Sequence, residues 1–125
     1  EAAAHYRRAL QIDPDSADVH YSLANILAAQ GELDEAMDQY RAALRVNPFY
    51  AGVHHNLGVI LAERGQLDDA IRHFRQAVTI RPEFADAHES LEKALALQWH
   101  REEASRHYQE ALRILSAGRE TQARQ

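Results

Sequence analysis

The chain has 125 residues, 46% apolar and 26% charged, a composition that fits one globular domain and excludes a disordered chain. It has no cysteine, which removes disulfides, thiol catalysis and thiolate metal sites together, and no apolar run nears the roughly 18 residues of a membrane span. Its net charge of −5 argues against nucleic acid as the main partner, because phosphate binding needs a basic surface.

Ala2, Tyr6, Ala9 and Leu10 fall on one helical stripe, so the spacing predicts a first helix near 1–12, closed by Pro14. Leu23, Ala24 and Leu27 form the stripe of a second helix near 17–30, and Gly31 follows where a left-handed residue can end it. Ala36, Tyr40, Ala43 and Leu44 mark a third near 33–46, which Pro48 stops. Leu57, Gly58 and Leu61, then Gly65, then Ala70, Phe74 and Ala77, then Pro82, repeat that wording and predict helices near 51–64 and 67–80. Two further helices are expected near 85–98 and 101–115, with the residues after Ser116 frayed because "AGRETQARQ" has no apolar stripe. The first residue is Glu1, so the lack of a signal peptide leaves the compartment open, the cytoplasm being the default.

These elements recur at one fixed step, the interval from Pro14 to Pro48. Pro82 follows Pro48 at the same step, and His20, His54 and His88 keep it, as do Tyr6, Tyr40, Phe74 and Tyr108. The units are a lone second helix (1–14), two full repeats (17–50 and 51–84), a degenerate terminal repeat (85–118) and a tail (119–125). Small residues at Ala24, Ala36 and Ala43 leave room for large ones on the facing helix, as close helix packing requires. One such hairpin cannot bury both faces, so units must stack.

His20, Leu23, Ala24, Leu27, Gly31, Ala36, Tyr40, Ala43 and Pro48, with their counterparts one repeat later, resemble the tetratricopeptide-repeat family. The wording is also similar to the arrays of O-linked N-acetylglucosamine transferases and of bacterial multi-repeat proteins. The resemblance implies an all-α solenoid of antiparallel helix pairs, a superhelix whose first helices line a concave groove that binds a peptide or partner protein. It implies a scaffold rather than an enzyme, with no cofactor, no nucleic acid and no membrane insertion. The alternative it leaves open is a regulatory or substrate-presenting array of a larger enzyme such as a glycosyltransferase. Glu1 falls inside a second helix, so the natural array is expected to begin earlier.

If Leu23, Ala24 and Leu27 face the second helix, the opposite stripe is free for a partner. The candidate groove residues are Asp18, Tyr21 and Asn25, then His55, Asn56, Val59 and Glu63, then Glu89 and Lys93. Acids outnumber the single Lys93 on that stripe, so neutral or basic segments are expected there. Asn25 and Asn56 suit the backbone of an extended peptide, because an amide both donates and accepts. In family members that clamp a C-terminal carboxylate, basic residues accompany such asparagines. The matching positions here hold Tyr21, Asp86 and Ser90, so a carboxylate clamp is not expected. His20, His54 and His88 sit one per repeat, too far apart to share a metal, and read as packing residues. Tyr50 and Phe84 read as staples between adjacent repeats.

The third unit departs from the pattern. Glu92 replaces the small Ala24 and Gly58, Trp99 replaces glycine, Arg101 replaces Leu33 and Leu67, and Ser116 replaces proline. A terminal repeat is expected to differ because it meets solvent. Trp99 is expected to move into the apolar place vacated at Arg101, and the array ends to self-associate weakly near Tyr6, Leu112 and Leu115.

Overall fold

The computed structural model describes residues 1–124, and every element among them is helical. They are α1 (Ala2–Ile12), α2 (Ala17–Ala29), α3 (Leu33–Val46), α4 (Ala51–Glu63), α5 (Leu67–Ile80) and α6 (Ala85–Arg124). The first five follow the expected boundaries closely. Each helix packs mainly on its neighbours in sequence, α2 with α3 and α4 with α5 as hairpins. No helix among the described residues is long and apolar enough to cross a membrane.

The two hairpin turns are built as the glycines predict. Gly31 and Gly65 hold φ angles of 82° and 79°, the left-handed region that a Cβ disfavours. Around the first, the Glu32 amide donates to the Leu27 carbonyl at 2.9 Å and the Gly31 amide to that of Ala28 at 3.1 Å. Gln66 and Gly65 repeat the pair on Leu61 and Ala62. These bonds satisfy carbonyls that a helix end would leave orphaned.

Packing inside each hairpin pairs large with small. Tyr40 and Phe74 are each 2% exposed, among Ala24, Ala36, Ala43, Ala70 and Ala77, all fully buried. A Cβ added to Gly58 would lie 2.6 Å from Phe74 Cε1, so glycine is required there by close approach rather than by backbone conformation.

The last unit corrects the expectation. Helices near 85–98 and 101–115 do not form a hairpin; α6 runs unbroken through both and on to Arg124. Trp99 occupies the position of Gly31 and Gly65, and a left-handed conformation there would cost roughly 1–2 kcal/mol. With no proline to intervene, continuing the intrahelical hydrogen bonds is the cheaper course. Trp99 does not fill the place vacated at Arg101: its side chain stays 57% exposed. Arg101 instead donates to Asp68 of α5 at 3.0 Å, and Gln98 to the same carboxylate at 3.1 Å, tying α6 to the start of α5. The tail expected to fray is helical to Arg124, and residue 125 lies outside the described residues. Beyond Arg101 the helix leaves the core, with Tyr108, Leu112, Ile114 and Leu115 exposed.

Candidate partner-binding face

Burying Leu23, Leu27, Leu57 and Leu61 turns the opposite stripes of α2 and α4 outward, and α6 continues the series. Hydrogen bonds show these stripes lying side by side. Asn56 Nδ2 donates to Asn25 Oδ1 at 2.9 Å and to the Tyr21 hydroxyl at 3.5 Å, linking α4 to α2. His55 Nε2 meets Ser90 Oγ at 3.0 Å, linking α4 to α6, while its Nδ1 meets Asn56 Oδ1 at 3.2 Å. The Tyr40 hydroxyl, reaching through from α3, donates to Asn25 Oδ1.

The proton order follows from the acceptors. Asn56 Oδ1 only accepts, so His55 Nδ1 donates to it, and His55 Nε2 then accepts from the Ser90 hydroxyl. Asn25 Oδ1 accepts twice, from Asn56 and Tyr40. That leaves the Asn25 amide nitrogen, two donors on a half-buried side chain, without an intramolecular partner among the described residues. Burial pushes the Tyr40 hydroxyl up to about 12, so it stays a donor throughout the neutral range.

Aromatic contacts stiffen the same face. Tyr50 packs on Tyr21 with ring centroids 4.9 Å apart and donates to Asp18 Oδ1 at 2.6 Å, bridging one repeat to the previous one. Burial first, then that carboxylate, drives the Tyr50 hydroxyl well above its ordinary range. Phe84 does the corresponding work one repeat later, 5.2 Å from His55, with the Arg81 guanidinium 4.7 Å from its ring centroid.

Two cavities open on this face, and they are the same site written twice. Ala28, Leu33, Tyr40, Asn56, Val59 and Glu63 line one of about 370 Å³. Ala62, Leu67, Phe74, Ser90, Lys93 and Leu97, each one repeat step further on, line another of about 180 Å³. Val59 and Glu63 border both. The first offers a phenol and an amide; the second offers Phe74 and Ser90 in their places. A larger depression of about 550 Å³ beside Pro14, His20 and Arg45 belongs to an inter-repeat joint and lies away from this network.

The expected residues thus fall into two sets. Asp18, Tyr21, Asn25, His55 and Asn56 enter one hydrogen-bonded and aromatic surface, with Val59 and Glu63 on the walls of its cavities. Glu89 and Lys93 pair with each other at 2.9 Å along α6, where Lys93 holds the Glu89 carboxyl below its usual range and also lines the second cavity. Tyr40 is a participant that its buried, periodic place in the sequence conceals, since only its hydroxyl reaches the face. The repeated histidines have a clear structural role. His20, His54 and His88 each direct Nε2 to the carbonyl of Pro14, Pro48 or Pro82, at 2.7, 2.8 and 2.7 Å.

A family model described as TPR repeat matches residues 1–31, 24–65 and 60–98. No curated protein sequence matches. Among solved structures, the chain is similar to crystal structures of MamA, one at 26% identity and a TM-score of 0.74 over 88% of this chain and 64% of that one. A mutant of the Thermobaculum terrenum O-GlcNAc transferase aligns at 31% identity and a TM-score of 0.69, over 74% of this chain and 18% of that one. YrrB, described as a TPR protein with an unusual peptide-binding site, aligns at 25% identity and a TM-score of 0.65, over 70% of this chain and 45% of that one. The chain therefore spans less than two thirds of each of these relatives.

Proposed function

The chain belongs to the tetratricopeptide-repeat family and is a protein-interaction scaffold; on that premise we propose that the α2–α4–α6 face holds an extended segment of its partner. The observation that carries this reading is the repeated cavity. Two equivalent pockets one repeat apart, joined by Val59 and Glu63, suit side chains projecting from one extended strand. The Asn25 amide is the free donor available to that strand's backbone. Asp18, Glu63 and Asp86 outnumber Lys93, whose charge Glu89 already balances, so neutral or basic segments are favoured over acidic ones and over nucleic acid. We assign no catalytic step to the chain; Tyr40, His55, Asn56 and Ser90 on this face are engaged in bonds between its helices.

The test is selection of peptides from a random displayed library on the intact chain, followed by affinity measurement on Val59→Arg and Glu63→Arg variants. Selected peptides should be basic or neutral with a bulky apolar residue, and each variant should weaken them about tenfold or more. Unchanged affinity in both, with unaltered unfolding curves, would place binding elsewhere. The transferase neighbour supports a second reading, in which the same face presents substrates to an attached enzyme. Sequencing the whole open reading frame separates the two.

A further inference from the structure

The two cavities of the α2–α4–α6 face share their side walls and differ in their floors. Ala28 and Leu33 of the first return as Ala62 and Leu67 in the second, one repeat step on. Tyr40 returns as Phe74, and Asn56 as Ser90. Asn25, bonded to both Tyr40 and Asn56, returns as Val59, which lines the second cavity. A phenol and two amides in one repeat thus give way to a phenyl ring, a hydroxyl and an isopropyl group in the next.

The floors differ in unused bonding capacity. In the first cavity the Tyr40 proton goes to Asn25, and the Tyr40 oxygen accepts no bond among the described residues. Asn25 keeps two N–H donors, one more than a single bond to a backbone carbonyl uses. A hydrocarbon side chain seated there would exclude water from that donor and acceptor and leave both unpaired. A side chain ending in an amide would pair both. In the second cavity the Ser90 proton is already committed to His55 Nε2, and the rest of the floor is Val59, Ala62, Phe74 and Ala94. Leu97 on its outer wall is 58% exposed, apolar surface that an incoming side chain would cover.

The interval between the cavities sets the interval along the ligand. Asn56 and Asn25, both short side chains, bridge α4 to α2 at 2.9 Å, which puts these helices at the roughly 8–10 Å of direct packing. A β-strand returns a side chain to the same face after about 6.6 or 13 Å, and neither distance matches. A polyproline II segment returns one every three residues, after about 9.3 Å.

Resting on the groove reading above, we propose that the bound segment adopts polyproline II form and carries two anchors three residues apart. An asparagine or glutamine fills the Tyr40 cavity, and a bulky apolar side chain fills the Phe74 cavity. Asn25 and Tyr40 determine specificity at the first position, and Val59 and Phe74 at the second. Glu63, on the wall common to both cavities, disfavours an acidic residue at either.

The test exchanges one floor for the other. Peptides selected on the unmodified chain should show the two anchors at that spacing, and replacing the amide residue by leucine should weaken binding about tenfold or more. The variant Asn25→Val, Tyr40→Phe, Asn56→Ser gives the first cavity the floor of the second, a combination the chain already carries one repeat later. On it the preference should invert, the leucine peptide binding more tightly than its parent. Loss of fold weakens both peptides alike and does not imitate an inverted ratio. Tyr40→Phe alone, the milder change, should narrow the same ratio. Peptides that Val59→Arg weakens but that lack the paired anchors, or a ratio unchanged in both floor variants, would overturn the inference while leaving the groove reading intact. Peptides indifferent to Val59→Arg and Glu63→Arg would remove the groove reading, and this inference with it.

Discussion

Replacing Asn25 by Ala removes one oxygen that serves two donors, and the structure says how much each loss is worth. Tyr40, 2% exposed, has its hydroxyl bonded to Asn25 Oδ1, and Asn56 Nδ2 shares that acceptor at 2.9 Å. A buried donor left unpaired costs about 1–3 kcal/mol, and the half-exposed Asn56 amide costs less because water reaches it. Asn25→Ala should therefore destabilise the chain by about 2–3 kcal/mol, and Tyr40→Phe, which removes the orphaned hydroxyl, should recover part of that. The double-mutant cycle should give a coupling of about 1–2 kcal/mol. Urea unfolding followed by far-UV circular dichroism measures all four corners, provided the denaturant slope is unchanged. Additivity within about 0.3–0.5 kcal/mol would show that the Tyr40–Asn25 bond does not carry the cost, and the proton order derived for this face would fail with it.

Gly58→Ala should cost about 1 kcal/mol net in the same assay: overpacking against Phe74, about 1–3 kcal/mol, outweighs the helix propensity that alanine gains. Gly31→Ala should cost about 1–2 kcal/mol despite open space around the new Cβ, because the penalty lies in φ 82°. The His73 imidazole, half-buried beside His54, Arg72 and Arg41 and opposed only by Asp69, is pushed down to about 4, mainly by desolvation. The ring stays neutral in the fold while the unfolded chain takes its proton near 6.5, so stability should fall as pH drops from about 6.5 toward 4 and level off below. The full shift is worth about 3 kcal/mol, reduced to about 1–2 kcal/mol by partial exposure. His73→Gln, which copies Gln39 of the previous repeat, should flatten that pH dependence in urea titrations, and an unchanged slope would assign the acid sensitivity elsewhere.

The repeat step makes five helices and both hairpin turns legible, because Gly31, Gly65 and the three prolines act locally through backbone geometry that any reader of the sequence can apply. The last unit defeats the same reading for a related reason. Periodicity at Tyr108 and Ala111 argues for a separate second helix, while Trp99, Glu92 and Arg101 argue against the turn that would seat it. Local turn chemistry prevails over the pattern, and the helix continues. On the candidate face, the outward stripe identifies the asparagines and His55 correctly as neighbours. Their mutual hydrogen bonds are not legible, because they depend on the lateral offset between α2, α4 and α6, which no spacing within one helix encodes. Tyr40 stays hidden since its ring belongs to the core and only its hydroxyl joins the hydrogen bonds of the face.

The identical His-to-proline-carbonyl joints at 2.7–2.8 Å also bear on how the molecule responds to mechanical load. A chain whose helices touch mainly their sequence neighbours has no clamp running from one end to the other. Pulled from its termini, it should yield from the edges inward rather than rupture at once, each lost repeat releasing a stretch such as Ala17 to Tyr50. At about 3.5 Å per residue that is roughly 120 Å of contour, gained at low force because the contacts between repeats, such as Asn56–Asn25 and Tyr50–Asp18, give way one joint at a time rather than as a shear of parallel strands. The scaffold behaves as a soft spring whose extension is counted in repeats.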